Sequence, residues 1–331
     1  MCAAVPTVLR LDVFEDYWDS FLCGYSPKQR LYRLLGDGGV VTYIHLKRLV
    51  CDYLLMHPKT VQVIHEMNPH GNACALDPSG FDNITHPTSF CRFCSVYVIT
   101  VAAAILFDLT GCISSVVYPR QLNESRLLSI LHLLDRKPVS LVFPFAPTYS
   151  QQIFTRFESM GLESGDCPHS SCVSIQQLMV SMVHPLTPLC LRRAIQLVNE
   201  LIWSGSGSMK QKWELPQLSQ QCTNQSLLSY ETYAMFNIVY NDGMQGRSYG
   251  FWFKVMDVDG DDGISFEDIL TLLHEKRGWD KKEPHLYKFD ALWLELCDLC
   301  QVSTTDMIPL KKMKESQAGP FCFQHFILGD E

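Results

Sequence analysis

No dense run of lysine or arginine occurs anywhere in this chain, and its 27 basic residues are outnumbered by 35 acidic ones, for a net charge of −8. Binding a phosphate backbone takes clustered cations, so this balance argues against nucleic acid as a partner. Long apolar stretches are missing too. The longest, Val96 to Phe107 (VYVITVAAAILF), contains a threonine and stops at Asp108. It falls well short of the roughly 20 residues needed to cross a bilayer, so it is predicted to be a buried core helix and no membrane association is expected. The opening MCAAVPTVLRLDVFED has no basic n-region followed by an apolar core, which argues against a secretory signal. The 14 cysteines are therefore expected as reduced thiols in the cytoplasm, with the nucleus and the cytoskeleton as further compartments, and not as a disulfide framework. The sequon Asn83-Ile84-Thr85 is accordingly expected to stay unglycosylated. Also absent are a Gly-rich phosphate loop, a Gly-x-Ser-x-Gly elbow and a His-Glu-x-x-His helix, and no local signature selects a Cys/His nucleophile. The chain is expected not to be an enzyme.

What the chain does have is DVDGDDGISFED, residues 257–268, with six carboxylates in twelve positions of a sequence that is only 19% charged. Such repulsion is tolerated where a hard cation needs an oxygen cage, and an EF-hand loop supplies one from positions 1, 3, 5, 7, 9 and 12. In that register Asp257, Asp259 and Asp261 take the first three ligand positions. The Gly263 carbonyl falls at position 7, Ser265 at 9 and Asp268 at 12, with apolar Ile264 at position 8 able to pair with a neighbouring loop. Ser248 to Met256 is apolar enough to enter the loop as a helix, and Phe266, Ile269, Leu270 and Leu273 recur at helical spacing after it. Two positions depart from the standard loop. Asp262 stands at position 6, where a left-handed backbone favours Gly, and Asp268 is one methylene shorter than the usual closing Glu. A weakened site for Ca²⁺, with Mg²⁺ as the competing ion, is the expectation. Ser-Phe-Glu-Asp at 265–268 also reads as a capping box, which needs no metal.

Helical patterns dominate elsewhere, and no strand–helix alternation suggests a parallel sheet. Shapes resembling the acidic unit without its carboxylates recur at Gln29–Leu55, at 107–122, at Phe157–Val183 and at Leu296–Met313, where Ile308 and Leu310 would open an exiting helix. The expected fold is all-α, built from tandem EF-hand-like helix-loop-helix units with mostly degenerate loops. Two regions are expected: an N-terminal one, residues 1–140, including a loop-rich stretch at 59–94, and a C-terminal one, residues 141–331, carrying the metal loop 257–268 and a polar insertion at 205–225. The tryptophans are read as structural anchors.

Three segments carry a family likeness. LLSYETYAMFNIVYNDGMQGRSYGFWFKVMDVDGDD, residues 227–262, resembles the core of the B″ class of regulatory subunits of protein phosphatase 2A. LWLELCDLCQVSTTDMIPLKKMKES, residues 292–316, is similar to that class's following unit, and YVITVAAAILFDLTGCISSVVYPRQL to the segment before its first EF-hand. The likeness runs in order from about residue 29 and is most specific from 227 onward. It implies a noncatalytic subunit with an elongated helical EF-hand body that binds the phosphatase scaffold and catalytic subunits, helps choose phosphoprotein substrates and often binds Ca²⁺. A stand-alone EF-hand calcium-binding adaptor is the alternative. One departure is that the region matching the class's first EF-hand carries only Glu158, Glu163 and Asp166 over a longer loop, where no metal is expected.

Two Cys-x-x-Cys pairs offer a rival chemistry. Cys91 and Cys94, with Cys74, His70 or His86, have zinc-ligand spacing, whereas Cys297 and Cys300 lie in an amphipathic helix where thiols would simply pack.

Overall fold

The computed structural model describes residues 11–35, 40–56, 92–112, 114–136, 144–160, 173–182, 186–203, 227–244, 246–274 and 285–328. Regular structure among them is almost wholly helical, as the patterns predict, and the strands form three two-stranded antiparallel ladders. Two compact units divide the chain, one made of residues 1–109 and 116–152, the other of 110–115 and 153–331. The expected insertion at 205–225, and the loop-rich stretch at 59–94 apart from its last three residues, lie outside the described residues.

In the first unit α1 (Leu11–Tyr17) runs into a π-helical turn, and α2 (Pro27–Leu35), β1 (Val41–Thr42) and α3 (Tyr43–Met56) follow. Next come α4 (Arg92–Thr110), β2 (Val116–Val117), α5 (Pro119–Glu124) and α6 (Leu127–Arg136). β1 pairs with β2, Val41 opposite Val117, so α2–α3 and α4–α5 are two helix-loop-helix units joined through their loops. Helix α4 contains the apolar run. Its residues Val101 to Leu106 are at most 1% exposed, which explains why apolar residues occupy every face instead of one stripe. Among the described residues no helix is long and apolar enough to cross a membrane.

The second unit repeats the arrangement twice. After α7 (Pro147–Met160), β3 (Val173–Ser174) and α8 (Ile175–Ser181) come α9 (Pro188–Trp203), β4 (Leu227–Leu228) and α10 (Tyr230–Asp242), with Val173 opposite Leu228. Then α11 (Tyr249–Met256), β5 (Gly263–Ile264) and α12 (Phe266–His274) are joined to α13 (His285–Cys300), β6 (Ile308–Pro309) and α14 (Leu310–Glu315), with Ile264 opposite Ile308. A last helical stretch, α15 (Gly319–Cys322) and a π-helical turn to Ile327, closes the unit. Cys322, Phe326 and Ile327 are fully buried there, and the Ile327 carbonyl accepts from the Thr187 amide at 3.0 Å.

One local device starts nearly every exiting helix. After five of the six ladder strands the side chain three residues on pairs with the residue that follows the central ladder residue, and at Ser174, Ser229 and Ser265 that residue's hydroxyl also accepts from the helix. The Thr42 hydroxyl lies 2.9 Å from His45 Nδ1, and the Tyr118 amide donates to Gln121 Oε1 at 2.8 Å. Ser174 and Gln177 form the reciprocal pair, and the Ser229 hydroxyl accepts from the Thr232 amide at 3.3 Å. Ser265 and Asp268 do the same in the acidic loop. Capping satisfies amides that have no helical partner. In an EF-hand the reach-back position is also the closing metal ligand. These five units keep the pairing, while among them only Asp268 keeps a carboxylate.

Candidate metal centre

The acidic loop is built by its own amides. Helix α11 makes its last backbone bond from the Asp257 amide to the Phe253 carbonyl, at 2.9 Å. The Asp257 carboxylate then turns inward and accepts from the amides of Gly260 (2.8 Å), Asp261 (3.1 Å) and Asp262 (3.1 Å). Asp259 accepts from the Asp261 amide at 3.3 Å, and Asp261 from the Gly263 amide at 3.0 Å. Each short carboxylate thus folds the backbone around itself, as Asp does in turns. The result brings carboxylate oxygens of Asp257, Asp259 and Asp261 within 4.8 Å of one another. Asp257 is buried, whereas Asp259 and Asp261 face solvent.

Burial pushes the Asp257 carboxyl above its ordinary range, the Gly260, Asp262 and Asp261 amides pull it back, and the Asp268 carboxylate adds to the push. A carboxyl raised in the folded state supports folding below its unfolded pKa, and that contribution is lost as pH rises through the folded pKa. At neutral pH the ionised loop therefore gains from a nearby cation.

Of the other sequence-predicted ligands, Gly263 lies in β5 beside β6, so its carbonyl is at the ladder. Ser265 and Asp268 are engaged with each other. The Ser265 amide and hydroxyl donate to Asp268 Oδ2 at 2.8 and 2.6 Å, while Asp268 Oδ1 accepts from the amides of Val258 (2.7 Å) and Asp259 (3.4 Å). Asp268 thus ties the two ends of the loop and caps α12. Glu267 is exposed on the helix. Three converging carboxylates make an all-oxygen donor set that fits a hard cation such as Ca²⁺ or Mg²⁺.

Asp262 takes φ +65°, the left-handed conformation expected at position 6. Asp262→Gly keeps the amide that donates to Asp257 and removes the Cβ penalty. It should raise stability by about 1 kcal/mol, a melting temperature increase of roughly 2–4 °C. Thermal unfolding of the two proteins checks this, and an unchanged or lower midpoint would contradict it.

Sequence reading missed Arg193. From α9, 61 to 65 residues earlier in the chain, its guanidinium reaches the end of α11 and donates to the carbonyls of Val255 (2.8 Å), Lys254 (3.0 Å), Val258 (3.1 Å) and Asp257. Burial lowers its pKa, and the charges of Asp257, Cys190, Asp268 and Asp259 work against that. The hint in the sequence is a pair of arginines in the largely apolar PLCLRRAIQL.

The zinc alternative finds little support among the described residues. Cys94 is buried within α4, and Cys91, Cys74, His70 and His86 lie outside them. Cys297 and Cys300 are buried in α13, where burial pushes the Cys297 thiol up to about 11 and also raises that of Cys300, which disfavours the thiolate that zinc requires. Trp252 and Trp293 are buried anchors, as expected.

Fold and loop together define an EF-hand-like helical protein with one acidic loop among its described residues. No protein-family profile matches the chain. A curated human relative, the beta form of the B″-type regulatory subunit of serine/threonine-protein phosphatase 2A, is 23% identical over 250 residues, which cover 73% of this chain and 40% of that protein. A solved structure described as a PP2A PR70 holoenzyme, labelled diCa, shares the fold with a TM-score of 0.63 at 17% identity, over 92% of this chain and 97% of that one. The resemblance to B″-class regulatory subunits read from the motifs is thus found again by both sequence and fold. The chain spans less than half the length of the curated relative.

Proposed function

We propose that this chain is a noncatalytic regulatory subunit of a protein phosphatase 2A holoenzyme. In this reading it binds the scaffold and catalytic subunits and directs the choice of phosphoprotein substrates. The carrying observation is that a B″-type relative and a PR70 holoenzyme match in sequence and in fold respectively. Asp257, Asp259 and Asp261, with the Gly263 carbonyl, Ser265 and Asp268, would hold one Ca²⁺, or Mg²⁺ in its place. The ion would fix the angle between α11 and α12. Cytoplasm, nucleus and cytoskeleton are the compartments proposed.

Two measurements test the proposal. Purified scaffold and catalytic subunits should be captured by this chain in calcium, and the comparison with chelator tells whether the ion acts at the interface or only braces the fold. Absence of capture in both conditions would overturn the regulatory reading and leave a stand-alone EF-hand adaptor. For the ion, Asp257→Ala should melt several degrees below the wild type in calcium, since a ligand bound only by the folded state stabilises it by mass action, about 2.7 kcal/mol at a hundredfold excess over Kd. Wild-type melting that ignores calcium would remove the ion from the account.

A further inference from the structure

We infer that Arg193 is a positioning residue for the acidic loop: a fixed organic cation, supplied by a different helix-loop-helix unit, that sets where α11 ends and holds the backbone from which the carboxylates converge. The geometry has three parts. First, the carbonyls it binds belong to Lys254, Val255, Asp257 and Val258, at and just past the terminus of α11. Carbonyls in a helix's last turn lack helical partners and carry the negative end of its dipole. Second, one planar guanidinium serves all four, which its fixed fork of five donors allows and a lysine ammonium with three cannot match. Third, these bonds go to backbone oxygens, while the carboxylates of Asp257, Asp259 and Asp261 take theirs from loop amides. The guanidinium offsets the loop's charge without occupying the oxygens offered to a metal.

The consequence is preorganisation. A loop carrying six carboxylates repels itself, and a chain that must be ordered on ion binding loses affinity to that ordering. With Val255, Asp257 and Val258 fixed through their carbonyls, the amides of Gly260, Asp261 and Asp262 stay on Asp257 before any ion arrives. Arg193 also belongs to α9, whose unit pairs with α7–α8 through β3 and β4. The loop's geometry therefore depends on a unit that has no acidic cage among its described residues.

The test uses the full chain as wild type, Arg193→Lys, Arg193→Met and Asp257→Ala. Amide hydrogen exchange in chelator should show residues 258–262 losing about tenfold in protection in both Arg193 variants, with α4 unchanged. Calcium titration against a competing chromophoric chelator should show affinity reduced by about tenfold or more in both, the size seen when groups supporting a metal's direct ligands are removed. Arg193→Lys decides between geometry and charge: it must fail like Arg193→Met, and lysine at wild-type values would overturn the inference. So would tighter binding in Arg193→Met, which would make the guanidinium a repelling neighbour of the ion, or an equal loss of protection across α4, which would make it a general packing residue. The affinity measurement rests on the cation reading above. If wild type binds no calcium, that reading fails, and the exchange data alone still decide whether Arg193 holds the loop.

Discussion

Ile264→Asp is expected to cost about 4 kcal/mol and, on the proposed function, to abolish calcium binding together with it. Ile264 is fully buried in β5, opposite Ile308, which is fully buried in β6. A carboxylate placed there has no cation within the ladder to meet it, and it forfeits the burial of a large aliphatic side chain. Loss of such a side chain costs about 2–5 kcal/mol, and an unpaired buried polar group adds a few more unless the site opens to water. Opening would separate the two loops, since Gly263–Ile264 and Ile308–Pro309 are the strands that join them. Gly263 supplies the candidate carbonyl ligand and stands next to Ile264, so the candidate metal centre is damaged along with the core. Denaturant unfolding and calcium titration should therefore both respond. Val180→Asp, at a position 86% exposed on α8, is the control and should change stability by less than about 0.5 kcal/mol. Equal behaviour of the two variants would mean that the ladder does not join the loops in solution.

How much of this was legible in the sequence depends on how local each interaction is. The acidic loop announces itself because six carboxylates within twelve residues have few other uses. Its geometry comes almost entirely from bonds spanning two to five residues, together with the tie from Asp268 to Val258 and Asp259. The repeated shapes at Gln29–Leu55, 107–122, Phe157–Val183 and Leu296–Met313 are legible for the same reason, through a short turn that leads into apolar or β-branched residues and then a helix. The unit α9–β4–α10 is not. Its two helices are separated by residues 204–229, too long a stretch for a spacing pattern to join them. Burial hides periodicity as well. α4 and α10 are apolar on nearly every face because neighbours surround them, and a helix without a polar stripe gives no direction to its core. Arg193 and the C-terminal closing stretch act across 61 or more residues, and no spacing rule connects them to their targets.

Trp252→Ala should be the most damaging single truncation, at about 3–5 kcal/mol, a large fraction of the 5–15 kcal/mol that typically holds a domain folded. The indole is fully buried. It meets Phe251 at 5.2 Å and Phe323 at 5.0 Å, both edge to face, and its Nε1 donates to the Val239 carbonyl at 3.3 Å. Phe323 in turn lies 6.3 Å from Tyr240. A single ring thus joins α10, α11 and the C-terminal π-helical turn, and truncation leaves a cavity that all three would have to shift to fill. The effect should reach the candidate metal centre, because α11 runs without interruption from Trp252 to Met256, and the next residue is Asp257. Movement of this helix would shift the carbonyls of Lys254 and Val255 that Arg193 holds, and with them the first carboxylate of the loop. Calcium affinity should consequently fall even though Trp252 is not a candidate ligand. Trp252→Phe separates the contributions: it restores most of the ring volume but leaves the Val239 carbonyl without its donor, so it should recover more than half of the lost stability and most of the affinity. An alanine variant melting within about 2 °C of wild type would show that these three elements do not share a core. One that melts low yet binds calcium at wild-type strength would show that the loop is held by Arg193 and its own amides, independently of the helix beneath it.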